Sequence, residues 1–376
     1  MLITPAVNDE CEGQGEMGDR SRGMVDVHTH VFDPDLPDLN VADGGSLPSV
    51  ERLSGVAIRV YHRGRPYRLL DERAWSPAAR LRDMDASDVA VQVLSPTPVT
   101  LCQDAGVEEA TELATHQNAF LTSLVAAAPD RFVAFGHVPF QVPATAAAML
   151  EELMGRPEFV GVEIGPQVGD LPLSHESYAP FWDAAERTGA VVFLHPVDHC
   201  IDPRIVRTGA SFGLGMPTET AIAAADLLLN GVLAVRPGLR VLLAHGGGSL
   251  PSVLPRLAHG QRILPIAATA PSVMDLAARL WADSLTYDPT SLALAVERFG
   301  AGHLVVGSDY PFSAMEVPLG AVLGPPGGGA ADPGVRLDPA AADRIRSANA
   351  YDLLGRRLRG PQPSVPTTPD LTPLEA

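Results

Sequence analysis

The sequence predicts an α/β chain folded as a (β/α)8 TIM barrel with a long insertion after its first strand. Three observations carry that expectation: eight short apolar runs, Ala/Leu-rich helical stretches between them, and histidine and aspartate residues at the C-terminal ends of the runs. With 376 residues and 46% hydrophobic content, the chain can bury one large core.

The first run, MVDVHTH (24–30), is followed by about fifty residues, Phe32 to Arg80, that hold several Gly and Pro and the basic run RVYHRGRPYR. So long an excursion in a compact domain reads as a functional cover or a small added subdomain. The remaining strand candidates are VAVQVLSP (89–96), FVAFGHVP (132–139), VGVEIGP (160–166), AVVFLHP (190–196), RVLLAHGG (240–247), WADSLTYD (281–288) and HLVVGSDYP (303–311). Near-continuous apolar runs of this kind suit parallel strands covered on both faces. Between them, EEATELATHQNAFLTSLVAAA and TETAIAAADLLLNGVLAV place apolar residues at roughly i, i+3, i+4 and i+7, as amphipathic helices require. The Gly/Pro-rich stretch 322–339 precedes helix-like sequence and reads as a long loop. The expected organisation is therefore a flexible leader over 1–22, the barrel over 23–358 with its insertion at about 32–80, and a flexible Pro/Thr-rich tail over 359–376.

Composition narrows the partners. A formal net charge of −18 argues against nucleic acid, which selects for clustered Lys and Arg, and favours a small-molecule substrate. The three cysteines, Cys11, Cys102 and Cys200, have neither CxxC nor zinc-ribbon spacing, so no disulfide framework is indicated and a cytoplasmic location is expected. No secretory h-region opens the chain and no apolar run is long enough for a membrane span.

His28 and His30 stand two apart on the first strand, so both imidazoles point to one face. His195 ends the fifth strand, His245 the sixth and Asp309 the eighth, at the end where barrel active sites are built. One such histidine alone reads as a hydrogen-bonded core residue. Five coincident strand ends read as a metal centre, and imidazoles with a carboxylate suit one divalent ion, zinc first, with a coordination position left for water. His116 lies in a helical stretch, and His175, His259 and His303 sit at element edges, where exposed or capping roles are expected. His62, His137 and His199 stay open between pocket-lining and structural roles, and Cys200 reads as an ordinary small residue. Glu163, ending the fourth strand, either orients a ligand histidine or is a hydrogen-bonded barrel residue.

From about Met24 to Leu354 the chain resembles the amidohydrolase superfamily, and within it the 2-amino-3-carboxymuconate-6-semialdehyde decarboxylase family. Beyond the metal residues, the likeness rests on YRLLDERAWSPAARLRDMD, GMPTETAIA, AHGGGSLPSVLPR, and DP-x-SL followed by VVGSDYPF. The resemblance implies that His28, His30, His195 and Asp309 bind the metal and that His245 activates its water. It implies two substrate-carboxylate arginines, Arg68 from the long first loop and Arg256 reaching in from a neighbouring subunit, and hence a homodimer. Paired guanidinium groups suit a dicarboxylate. A binuclear member would carry a bridging lysine where Glu163 stands, so one metal is the expected count.

The departures bear on substrate. The family's Asn-Cys-Trp is Arg73-Ala74-Trp75 here, its HPWD is HPVD at 195–198, its ST-x-PV is SPTPV at 95–99, and Ser313, Ala314, Met315 and Glu316 follow YPF. The expected reaction is nonoxidative decarboxylation of a small conjugated carboxylate, such as 2-amino-3-carboxymuconate-6-semialdehyde or an aromatic or muconate analogue, with Asp309 or His245 returning protons. The alternative is hydrolysis or hydration of a lactone, an amide or an unsaturated diacid, and the remote one a noncatalytic metal-binding scaffold.

Overall fold

Strand β1 (Met24–Val31) is wholly buried and leads into β2 (Ser49–Ser54), β3 (Ala57–His62) and β4 (Arg65–Asp71), which pair antiparallel as a separate three-stranded sheet. Then come β5 (Val89–Pro96), β6 (Phe132–His137), β7 (Phe159–Ile164), β8 (Val191–Leu194), β9 (Arg240–Leu243), β10 (Trp281–Asp283) and β11 (Leu304–Val305). With β1 they form one eight-stranded parallel sheet in chain order. Parallel bridges Asp26 to Val306 and Thr29 to Tyr310 join its two edges, with the Val27 N–H donating to the Val306 carbonyl at 2.8 Å. This is the (β/α)8 barrel. The computed structural model describes residues 23–39, 47–263, 271–324, 337–355 and 358, so the leader expected over 1–22, the tail expected over 359–376 and Cys11 lie outside it.

Alternation along the strands sorts the core into two layers. Val93, Phe135, Val191 and Phe193 meet inside the barrel, while Leu94, Phe132, Ala134 and Val192 pack outward among the helices. In β1 the pairing register shifts between Asp26 and Thr29. That irregularity lets successive residues face inward: Val27 belongs to the interior cluster, and the His28 ring lies 5.0 Å from Phe193 of the same cluster.

All eight strand candidates are strands, but several end early. β8 stops before His195, β9 before His245, β10 at Asp283 and β11 before Asp309. His245 (φ 58°) and Asp309 (φ 61°) are left-handed, a conformation that no extended strand accommodates, so both sit in the turns just past their strands. The helix expected over EEATELATHQNAFLTSLVAAA (108–128) runs over Val107–Ala127. The one expected through TETAIAAADLLLNGVLAV ends at Leu229, because Gly231 takes a left-handed turn (φ 84°).

The insertion carries the three-stranded antiparallel sheet. Its β3–β4 hairpin turns at Arg63 and Gly64, both at positive φ, the geometry that fits the twist of two antiparallel strands. Ile58, Val60 and Leu70 from this sheet pack against Phe32, Ala74 and Phe312, which fixes the sheet over the C-terminal mouth of the barrel. Among the described residues, no helix is long and apolar enough to cross a membrane.

Candidate metal centre

His28, His30, His195 and Asp309 are all buried, and one donor atom from each lies within 4.8 Å of every other. His28 Nε2 is 3.1 Å from His30 Nε2, and Asp309 Oδ1 is 3.6 Å and 3.2 Å from those two nitrogens. The other ring nitrogens are spoken for. His28 Nδ1 meets Asp283 at 2.6 Å, His30 Nδ1 meets the Pro96 carbonyl at 2.9 Å, and His195 Nδ1 meets the Pro196 carbonyl at 2.7 Å. Those acceptors assign the proton to Nδ1 in each ring and leave three Nε2 lone pairs aimed at a common point. His195 Nε2 is buried with no hydrogen-bond partner. Three convergent imidazole nitrogens and a carboxylate fit a divalent cation.

The electrostatics agree with that donor set. Burial drives the His195 pKa well below its ordinary value and lowers His30 to about 4, despite the opposing pull of Asp309. Both rings are neutral at neutral pH, the form that donates to a metal. Burial also opposes charge on His28, but its hydrogen bond and ion pair with Asp283, aided by Asp309 and Asp26, raise its pKa. Burial pushes Asp309 upward, yet its hydrogen bond to His30 and the charge of His28 hold it at about 2.

Asp283, at the end of β10, was not singled out in the sequence, where it stands third in the strand candidate WADSLTYD. Besides His28, its carboxylate accepts the backbone N–H groups of His245 and Gly246, each at 2.9 Å, and of Leu285 at 3.0 Å. One buried anion therefore orients a candidate ligand and pins the turn that carries His245. A side chain at Gly307 would crowd this pair, since its Cβ would lie 2.7 Å from that of Asp283 and 2.8 Å from that of His28. Beneath the centre, buried Arg80 donates to the His30 carbonyl at 2.9 Å and to Thr29 Oγ1 at 2.8 Å, clamping β1.

His245 is beside the donor set, not in it. Its ring centroid is 5.2 Å from that of His28 and 5.1 Å from that of His195, and its buried Nδ1 has no partner. Burial and the charge of His28 lower its pKa, so the ring is a free base at neutral pH. It also borders a pocket of about 290 Å³ walled by Phe212, Met216, Pro217, Leu285 and Tyr287.

The two arginines part company. Arg68, on β4, lies 4.0 Å over the Phe312 ring, which stacks 5.1 Å from His30 with an 18° tilt, so the insertion brings its guanidinium to the mouth of the centre. Arg256 is exposed on the helix Leu250–Ile263, in a shallow apolar groove with Ala225, Leu229, Val253 and Leu257, away from its own chain's centre. His137 is structural: its Nε2 lies 3.1 Å from the Leu101 carbonyl and its Nδ1 faces Gln117. The His199 side chain lies outside the described residues. His175 caps a short turn, as its edge position suggested, and His116 pairs with Asp33 at 2.8 Å. Glu163 pairs with no ligand histidine: its carboxyl oxygens are buried, burial pushes its pKa well above the usual range, and the Ser95 hydroxyl beside it opposes that rise. The orienting role belongs to Asp283.

Comparison with known proteins adds four likenesses. The profile of the amidohydrolase family matches residues 25–356. A 2-amino-3-carboxymuconate-6-semialdehyde decarboxylase of Dictyostelium discoideum is 30% identical over 303 residues, covering 80% of this chain and 84% of that protein. Among solved structures, Metarhizium anisopliae IDCase superposes with a TM-score of 0.76 at 22% identity, covering 90% of this chain and 97% of that one. A dihydroxybenzoic acid decarboxylase from Polaromonas sp. JS666, with bound manganese and 2-nitroresorcinol, gives 0.68 at 22% identity, covering 89% and 97%. The two structural likenesses establish the fold.

Proposed function

The chain belongs to the amidohydrolase family, and from that premise we propose that it is a metal-dependent nonoxidative decarboxylase of a small conjugated carboxylate, either 2-amino-3-carboxymuconate-6-semialdehyde or an aromatic or muconate analogue. The observation that supports it most is the pairing of a convergent His28, His30, His195 and Asp309 donor set with a neutral His245 beside it and Arg68 at its mouth.

In this reading one divalent ion, held by those four residues, supplies Lewis-acid chemistry that polarises the substrate and makes water a stronger acid. His245 is the proton carrier, with Nδ1 the atom free to accept and return the proton. Arg68 pairs with a carboxylate and, through Phe312 and the β2–β4 sheet, holds the scissile group out of the conjugated plane. Protonation of the carboxylate-bearing carbon interrupts conjugation. The bond to the carboxyl carbon then breaks, its electron pair re-forms the conjugated system, and carbon dioxide leaves.

A donor set of three nitrogens and one oxygen favours zinc, whereas the Polaromonas enzyme carries manganese. Elemental analysis of the purified protein distinguishes the two. The same reading includes a homodimer, in which the exposed Arg256 serves the neighbouring centre, and a cytoplasmic location, which the free thiols of Cys102 and Cys200 support.

The test supplies metal-replete protein with freshly generated 2-amino-3-carboxymuconate-6-semialdehyde and, separately, hydroxylated benzoates, while following substrate absorbance and carbon dioxide release, with His245→Ala as control. Release that disappears in the control supports the reading. Consumption of lactones or amides without carbon dioxide would replace it with hydrolysis.

A further inference from the structure

Glu163 ends β7, in register with His137 of β6 and Phe193 of β8, and it is fully buried. Neither neighbour satisfies it. His137 is committed to the Leu101 carbonyl, and Phe193 offers only an apolar ring against His28. The Ser95 hydroxyl beside Glu163 already donates to the Thr29 carbonyl at 2.7 Å. Phe193, its register partner, packs inside the barrel against His28, which places the Glu163 carboxyl on the side of the metal centre.

Two residues further along the chain, Gly165 makes room for a second polar group. Any side chain there would collide with Gln103 Oε1, with Val197 just behind. Gln103 is 3% exposed, and both its carboxamide atoms also lack partners. Buried carboxyl and carboxamide groups are nearly always hydrogen-bonded, and leaving either unpaired destabilises the fold. Two such groups adjoining one end of β7, beside a reactive centre, mark a place built for a ligand's polar atoms rather than for the fold.

We propose that Glu163 and Gln103 form a polar subsite that hydrogen-bonds a hydroxyl or amino substituent carried by the substrate next to its scissile carboxylate. The carboxyl and the carboxamide together offer acceptors and donors, which matches a group that does both. This assignment rests on the decarboxylase reading for its substrate class and adds what distinguishes one conjugated carboxylate from another.

The experiment measures calorimetric affinities of the metal-loaded full chain for 2,6-dihydroxybenzoate and for benzoate. Wild type is expected to prefer the hydroxylated probe. Glu163→Leu and Gln103→Leu are each expected to cut that preference about tenfold, the weight of a lost buried hydrogen bond, with benzoate affinity and metal content unchanged. Any preference that hydroxyl contact with the metal creates persists in the variants, so the drop is the readout. Glu163→Leu should also raise the melting temperature of the ligand-free protein, because it removes an unsatisfied buried carboxyl, whereas a purely structural carboxyl would lower it. Glu163→Gln, which keeps the shape, serves if the leucine variant fails to fold, and is expected to lose part of the preference. A preference unchanged in the folded variants, or equal binding of both probes by wild type, overturns the subsite. Lost preference without any carbon dioxide release would sink the decarboxylase reading alone.

Discussion

Asp283 Oδ2 lies 2.6 Å from His28 Nδ1, and the same oxygen receives the His245 backbone N–H at 2.9 Å. The carboxylate thus sets the tautomer of a candidate ligand and the position of the candidate base together. Asp283→Asn keeps the volume but removes the charge, and its amide cannot accept at both oxygens. Metal affinity should fall about 10–100-fold in chelator competition, the usual cost of losing the partner of a ligating histidine. Unchanged affinity would strip Asp283 of its orienting role.

His245 holds a left-handed backbone, φ 58°, so replacing it changes both a base and a strained turn. Asn tolerates that conformation better than Ala, which makes His245→Asn the cleaner removal of the imidazole. Carbon dioxide release should drop about 10²–10⁴-fold, with one metal still bound. The pKa of His245 is lowered from 6.5, so wild-type activity should be flat across neutrality and decline only on the acid side of that value. A variant that keeps its rate would move the proton transfer elsewhere.

His137 and His30 have folded-state pKa values of about 4, down from 6.5, both chiefly through burial. As pH falls from 6.5 to 4 the unfolded chain takes up these protons and the folded chain does not. Their contribution to stability is therefore full above 6.5 and shrinks through that window, each by about 1.4 kcal/mol per pH unit. Asp26 works the other way: burial raises it to about 6, so the folded state gains protons first. The difference between proteins is thus more informative than either slope. In metal-free urea titrations at pH 7 and pH 5, His137→Gln should lose less stability on acidification than wild type. Equal losses would mean that His137 carries no such shift.

The sequence made legible what period and strand position control. His28 and His30 face one way because they are two apart, and His195, His245 and Asp309 were found because each follows an apolar run. Asp283 escaped because neither aspartate of WADSLTYD carries a spacing signal, and its importance comes from three backbone N–H groups that only the folded turn gathers. Glu163 was noticed, but partners were assumed for it, and pairing is a property of packing. The insertion was read as a cover or a small added subdomain without its three strands, since their register depends on the Arg63-Gly64 turn and on packing against Phe312, which lies far along the chain.

That packing makes a kinetic claim for Arg68. Its guanidinium rests 4.0 Å over Phe312 and is aimed at the mouth of the centre. Arg68→Ala should raise KM for a carboxylated substrate more than it lowers kcat, with a loss in kcat/KM of about 10–100-fold for one charge-assisted pair. Arg68→Lys should recover only part, because an ammonium cannot form the planar two-point contact. An unchanged KM in both variants would remove Arg68 from substrate binding.

Arg256 poses the question of whether the centre is complete in one chain, since it is exposed in a groove away from its own metal residues. If it serves the neighbouring subunit of a homodimer, the impaired Arg68→Ala and Arg256→Ala chains should complement each other. On refolding an equal mixture, half of the dimers are mixed, and in each of these one centre draws both arginines from unaltered positions. Activity should therefore return to about a quarter of wild type, as a two-fold interface requires. If Arg256 served its own chain, every centre in a mixed dimer would lack one arginine and nothing would return. Each parent refolded alone gives the baseline, and sedimentation of the mixture reports whether mixed dimers are available to be counted.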